Sequence, residues 1–150
     1  MQIIIHAGAH GTEEDRLMKT LLRNKEEFLE RGTSVPGPAK YRSLLKDCMS
    51  AAQMGEPSPD SRDFLWDAIL EEETAERVIL SNPHFFGSQR DALEGQRLYP
   101  EAEQRLMAMK ALFPEDDLHL FMAIRSPVSF LSKLLEKAGN GRRQTVLNNT

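Results

Sequence analysis

Three consecutive isoleucines, Ile3-Ile4-Ile5, constrain this chain more than any other stretch. Residues 2–7 are largely apolar rather than alternating, the pattern of a parallel strand covered on both faces. The run continues through Gly8-Ala9-His10-Gly11-Thr12, a turn of small residues, into Glu13-Glu14-Asp15-Arg16-Leu17. A buried strand, a glycine-bearing turn and a helix start, in that order, can hold an anion on free main-chain N–H groups. Three acids follow the turn here, where an anion grip favours a lysine and hydroxyls. The stretch predicts the architecture of an anion site together with a charge that opposes it.

The rest of the chain alternates helical and strand patterns. Thr12 is expected to cap a helix over 12–31, with Asp15 in capping-box position, Leu17, Leu21, Phe28 and Leu29 on one face, and Gly32 at its end. Residues 34–38 read as a loop. Helices are expected over 40–54, with Tyr41, Leu44, Leu45, Cys48, Met49 and Ala52 in line, and from Asp60 or Ser61 to about Glu76. A β-branched strand, 77–81, stops at Asn82-Pro83; 84–87 is a loop with two aromatic anchors, and 91–93 forms one helical turn. Pro100 opens a helix to Leu112, residues 118–124 make a strand, and Pro127 leads a last helix.

Strands separated by helices imply crossover connections. The expected fold is therefore α/β: a short parallel sheet of about three strands, the first central, flanked by helices. One domain spans 1–138, and 139–150 is a flexible tail. Ligands in such sheets bind at the carboxyl ends of the strands, which here carry His10–Thr12, Ser81–His84 and Arg125–Ser132.

Composition narrows the partners. A net charge of −4 gives nucleic acid and membrane surfaces no basic face to bind. Cys48 is the single cysteine, so no internal disulfide is available, and its helical stripe makes it an inert packed thiol. No run approaches membrane-spanning length and no signal-peptide pattern opens the chain, so a cytoplasmic location is expected. No His/Cys cluster has metal-ligand spacing, and no metal is expected.

The strand-end segments together resemble the bacterial sulfotransferase family, which uses 3′-phosphoadenosine-5′-phosphosulfate (PAPS) on a three-layer P-loop-type fold. The family opens with a strand and a pattern like H-x-G-x-H-K-T-G-T-[ST]. This chain matches it at His6, Gly8, His10 and Thr12, and carries Gly11 for the lysine, Glu13 for the glycine, and Glu14 and Asp15 for the hydroxyl residues. A strand ending in Arg-x-Pro, then a helix with a serine, is the family's second hallmark. Arg125-Ser126-Pro127 through Ser132 resembles it, with the serine seven residues after the arginine instead of eight. Leu98-Tyr99-Pro100-Glu101-Ala102 and Leu112-Phe113-Pro114 are similar to bacterial members too. The likeness covers nearly the whole chain and about the first half of a usual family domain.

That resemblance implies roles. PAPS is the implied cofactor: Arg125 and Ser132 would hold the 3′-phosphate, and the N–H groups around His10, Gly11 and Thr12 the 5′-phosphate. His84 would be the base for sulfuryl transfer to a small-molecule or saccharide acceptor. Read as residues alone, the same positions have plainer uses. His84 packs as a loop histidine beside Phe85 and Phe86, Arg125 pairs with the acids of 13–15, and the turn is satisfied by its own side chains. The rival function is then a non-catalytic binding or scaffold protein on a sulfotransferase-like fold with a decayed PAPS site. Gly11→Lys, with Glu13 and Glu14 also reverted, is expected to strengthen nucleotide binding. A small P-loop kinase is disfavoured, because G-x-x-x-x-G-K-[ST] is absent. A short sheet leaves open edges, so a homodimer, or cover by residues 40–76, is expected.

Overall fold

In the computed structural model, residues 1–12, 15–71, 73–94 and 96–137 are described. Glu13 and Glu14, and the expected tail at 139–150, lie outside them.

Four strands form one parallel sheet: β1 (Gln2–Gly8), β2 (Thr33–Ser34), β3 (Arg77–Ser81) and, last in the chain, Asp117–Ala123. Two-residue strands β4 (Leu93–Glu94) and β5 (Arg97–Leu98) pair antiparallel as a separate ribbon, so Asp117–Ala123 is β6. The sheet order is β2-β3-β1-β6. Ile3 lies between Val78 and Leu118, and Ile5 between Leu80 and Leu120, so one face of three strands is aliphatic.

The helices are α1 (Arg16–Arg23), α2 (Lys25–Glu30), α3 (Pro38–Met54), α4 (Pro59–Leu70), α5 (Ala102–Leu112) and α6 (Pro127–Lys137). Ile3, Ile5 and Ala7 join one core with Tyr41 and Leu45 of α3, Leu65 and Ile69 of α4, Met109 and Leu112 of α5, and Phe130 and Leu134 of α6. Burying a large aliphatic side chain is worth about 1.5–3 kcal/mol, so this cluster is the main source of cohesion. Pro38 and Pro59 stand in the first turns of α3 and α4, where a missing N–H costs nothing.

Several expectations need correction. The sheet has four strands, not three, because Thr33-Ser34 pairs with Arg77 and Val78. The preceding Gly32 carbonyl accepts the N–H of both Glu76 and Arg77 and fixes that register. The first strand is covered deeply on one face only. Ile3, Ile5 and Ala7 are buried, whereas Ile4 and His6 are half-buried, because α1 puts only Met18 fully inside. The single helix expected over 12–31 is two, interrupted at Asn24, whose amide Nδ2 donates to the Thr20 carbonyl. It starts at Arg16 rather than Thr12, since Asp15 takes a left-handed backbone, φ 63°. The third helix stops at Leu70, six residues short of the expected Glu76, and the helical turn expected at 91–93 leads into β4.

Candidate functional site

Strands β1 and β6 end side by side, at Gly8 and Ala123, and β3 ends two residues earlier, with Ser81 beside His6. The turn after β1 is tight. The Thr12 N–H and hydroxyl both return to the Ala9 carbonyl, at 3.2 and 2.7 Å, and the Ala9 N–H donates to Ala123 at 2.9 Å. Gly8 makes this possible, since a Cβ there would lie 2.6 Å from Thr12 Oγ1. Gly11 sits at φ 78°, a backbone that disfavours any side chain.

His10 is buried within this turn, and Tyr99 serves it twice. The Tyr99 hydroxyl accepts the His10 main-chain N–H at 2.9 Å and lies 2.9 Å from its Nδ1. Burial pushes the phenol above its ordinary pKa, partly offset by the N–H it accepts, so it remains a neutral hydroxyl. His10 Nε2 in turn lies 3.0 Å from His84 Nδ1. The chain Tyr99–His10–His84 admits two proton orders. Donation from Tyr99 toward His84 leaves a proton on His84 Nε2; the reverse order leaves a lone pair there, the form a base requires. His6, one strand residue earlier, bonds through Nδ1 to the Ser81 hydroxyl at 3.0 Å.

Asp15 does not face an anion unopposed. Arg42 grips it in bidentate fashion, with contacts of 2.6 and 3.2 Å, and those hydrogen bonds hold the Asp15 carboxyl below the usual carboxylate pKa. Arg42 Nε also donates to the Ser81 carbonyl at 2.8 Å. Beside it, the Tyr41 hydroxyl accepts the Ser81 N–H and donates to the Ser81 carbonyl, both at 2.9 Å. Tyr41 thus takes the ladder position that β2, too short to reach Ser81, leaves open.

Of the acids at 13–15, only Asp15 is among the described residues, and it pairs with Arg42 and not with Arg125. Arg125 Nε donates to Ser129 Oγ at 2.7 Å and its Nη1 to the Gly11 carbonyl at 2.5 Å. The serine beside Arg125 is Ser129, not Ser132, whose hydroxyl turns back to the Val128 carbonyl of its own helix at 2.9 Å. Arg16, Arg125 and Lys133 line one cleft of about 490 Å³ together with Ser129. Lys133 pairs with Glu136, whereas neither Arg16 nor Arg125 has a carboxylate partner among the described residues.

Three clefts run side by side along the strand ends. The cationic cleft shares Gly11 and Thr12 with a central one of about 430 Å³, which holds His6, His10, Asp15, His84 and Gln89. The central cleft shares His84 with a third, of about 480 Å³, lined by Arg42, Lys46 and Arg105 over Met49 and Phe85. His10, Gly11, Thr12, His84 and Arg125 are therefore gathered at one edge of the sheet, as the sequence implied. Ser132 faces elsewhere in its bonding. Arg16, Lys133, Ser129, Tyr99, Arg42 and Gln89 were not anticipated. Of these, only Ser129 carried a local signal, standing one helical turn beyond Arg125.

The N–H groups of Ala9, His10 and Thr12 are already taken by the protein. The turn therefore offers an anion much less main-chain donation than its sequence suggests. The arginine cleft, by contrast, suits a phosphate: two guanidiniums with no carboxylate partner among the described residues, and a nearby hydroxyl. No group of three or more metal-ligating side chains is gathered among the described residues. No helix among them is long and apolar enough to cross a membrane.

What the fold and these clefts define is an α/β protein with a parallel sheet and a strand-end site. Comparison with family models, with curated proteins and with solved structures gives no match.

Proposed function

We propose that this chain is a sulfotransferase-like binding protein of P-loop-type ancestry that holds the 3′-phosphate of PAPS, or of its desulfated product, in the arginine cleft. The observation that carries this reading is the convergence of Arg16 and Arg125, both without a carboxylate partner among the described residues, on Lys133 and Ser129 at the end of β6. Arg125 is half-buried with no carboxylate partner among the described residues, which an anion that comes and goes explains, and the exposed Arg16 adds charge beside it. Gly11 supplies no charge for a leaving phosphate, and the N–H groups of Ala9, His10 and Thr12 are occupied, so the binding role is favoured over transfer. Titration calorimetry with 3′-phosphoadenosine 5′-phosphate tests it. Binding is expected, weaker for adenosine 5′-monophosphate, and roughly tenfold or more weaker on Arg125→Ala. No heat with the bisphosphate, or none lost on Arg125→Ala, refutes the reading.

One observation favours the alternative, sulfuryl transfer to a small hydroxyl, amine or saccharide acceptor. His84 stands between the central and third clefts, backed by His10 and Tyr99 in the arrangement that can leave His84 Nε2 as a proton acceptor. Transfer of sulfuryl to an acceptor by the protein, abolished by His84→Asn with nucleotide binding intact, would establish it.

A further inference from the structure

The two proton orders open to Tyr99, His10 and His84 are not equivalent, and Tyr99 decides between them. Its oxygen already accepts the His10 main-chain N–H. When the phenol donates to His10 Nδ1, His10 Nε2 donates to His84 Nδ1, and each contact along the chain holds one proton. In the reverse order His10 Nδ1–H donates to the same phenol oxygen, and the phenol hydrogen needs another acceptor. Among the described residues the Tyr99 hydroxyl bonds only His10. It is also held in place. Tyr99 is buried, its ring is stacked on His10 at 5.7 Å, and it packs against Phe86 and Phe130 at 6.0 and 6.2 Å. Its backbone sits at φ 48°, which an aromatic residue seldom adopts, fixed by an N–H bond to the Ala92 carbonyl at 2.9 Å. A buried hydroxyl hydrogen without an acceptor is costly enough to favour the first order roughly tenfold or more.

From this we infer that Tyr99 is a positioning residue: acting through His10, it holds neutral His84 in the tautomer with its proton on Nε2, so that His84 meets a ligand as a hydrogen-bond donor and not as a base. His84 Nδ1 is engaged by His10, so a ligand in either cleft that His84 lines meets Nε2. The ligand atom that suits this tautomer is an oxygen with a lone pair, as in a phosphate, sulfate, carboxylate or carbonyl group. The inference needs no nucleotide and goes beyond the arginine cleft. It also bears on sulfuryl transfer: an acceptor hydroxyl or amine can pass its proton to His84 Nε2 only in the reverse order, with the Tyr99 hydrogen turned away from His10.

The test reads the tautomers directly, from the ring-nitrogen chemical shifts of histidine-labelled protein by NMR. The pH is set about two units above the ordinary histidine pKa of about 6.5, so that the rings are neutral. In the unaltered protein His84 is expected to be protonated at Nε2 and bare at Nδ1, with His10 protonated at Nε2. Tyr99→Phe keeps the packed ring and removes the hydroxyl. It is expected to raise the share of the reverse order roughly fivefold or more at both histidines, with the shifts of the distant His119 unchanged. A proton on His84 Nδ1 in the unaltered protein overturns the inference, whether or not the variant folds. Identical tautomers in the unaltered protein and Tyr99→Phe overturn it too, since Tyr99 would then serve packing alone. Neither result touches the arginine cleft, whose test is nucleotide binding.

Discussion

A carboxylate beside an anion site repels the ligand unless a cation claims it first, and Arg42 claims Asp15. One unit charge about 4 Å from another costs on the order of 4 kcal/mol at an effective dielectric near 20, enough to decide whether phosphate binds. With both Asp15 oxygens bonded, that cost is largely cancelled within the protein. The pair also makes stability depend on pH. Arg42 depresses the folded pKa of Asp15, so its contribution is present above the unfolded value of about 4 and is lost as pH falls through the lower folded value. Asp15→Asn should therefore unfold in urea more easily than the unaltered protein at pH 7. The gap should close below the ordinary carboxylate range. With the carboxylate about a third exposed, at 36%, solvent screening holds the effect to about 1 kcal/mol or less. A gap that persists undiminished in acid would contradict the pairing. The sequence announced the acids but not their partner, because Arg42 lies 27 residues away on a helix read only for its apolar stripe. Tyr99, 89 residues from the histidine it orients, was equally out of reach of local pattern.

At the scale of elements, the opening strand and its turn were legible, and the geometry of the turn was not. Periodicity finds strands and amphipathic helices because burial imposes it. It does not reveal that Thr12 folds back on Ala9 rather than capping a helix, or that Asp15 turns left-handed before α1. Those details remove the basis for restoring a loop lysine. Gly11 has φ 78°, and a Cβ there would stand 3.3 Å from both Arg125 Nη1 and Lys133 Cβ. Gly11→Lys is thus expected to destabilise the fold by about 1–2 kcal/mol from backbone strain alone. It is also expected to weaken nucleotide binding by displacing Arg125, the reverse of what the sequence pattern implied. Denaturant melts and calorimetry on this variant measure both; tighter binding without loss of stability would show that the turn can open into a phosphate cradle. The same limit explains Ser129, missed because Ser132 was sought at a family spacing, whereas contact on α6 is set by the helical turn nearest Arg125.

At the scale of the whole molecule, the α/β class and parallel sheet followed from the alternation of strands and helices. The fourth strand did not, since Thr33-Ser34 is short and polar and is held by pairing, not by pattern. Among the described residues the outer strands are β2 and β6; the two residues of β2 are buried, with Ser34 bonded to Glu73, whereas β6 is largely exposed. Its neighbourhood is apolar yet exposed, with Phe121 at 57% and Ile124 at 79%. We propose a second copy as its occupant. Two β6 strands pairing antiparallel about a two-fold axis satisfy the open edge of each and cover the exposed Phe121. Sedimentation should show a dimer that Leu120→Lys converts to monomer, since an edge lysine blocks strand pairing. A monomer at every concentration would refute this interface without touching the arginine cleft.

That cleft is the centre of the account, and diffraction from crystals soaked in 3′-phosphoadenosine 5′-phosphate examines it most directly. The 3′-phosphate is expected within hydrogen-bond reach of Arg125 and Ser129, outside the turn. A nucleotide seated instead on the main chain of residues 9–12, with Arg125 still bonded only to Gly11 and Ser129, would contradict it.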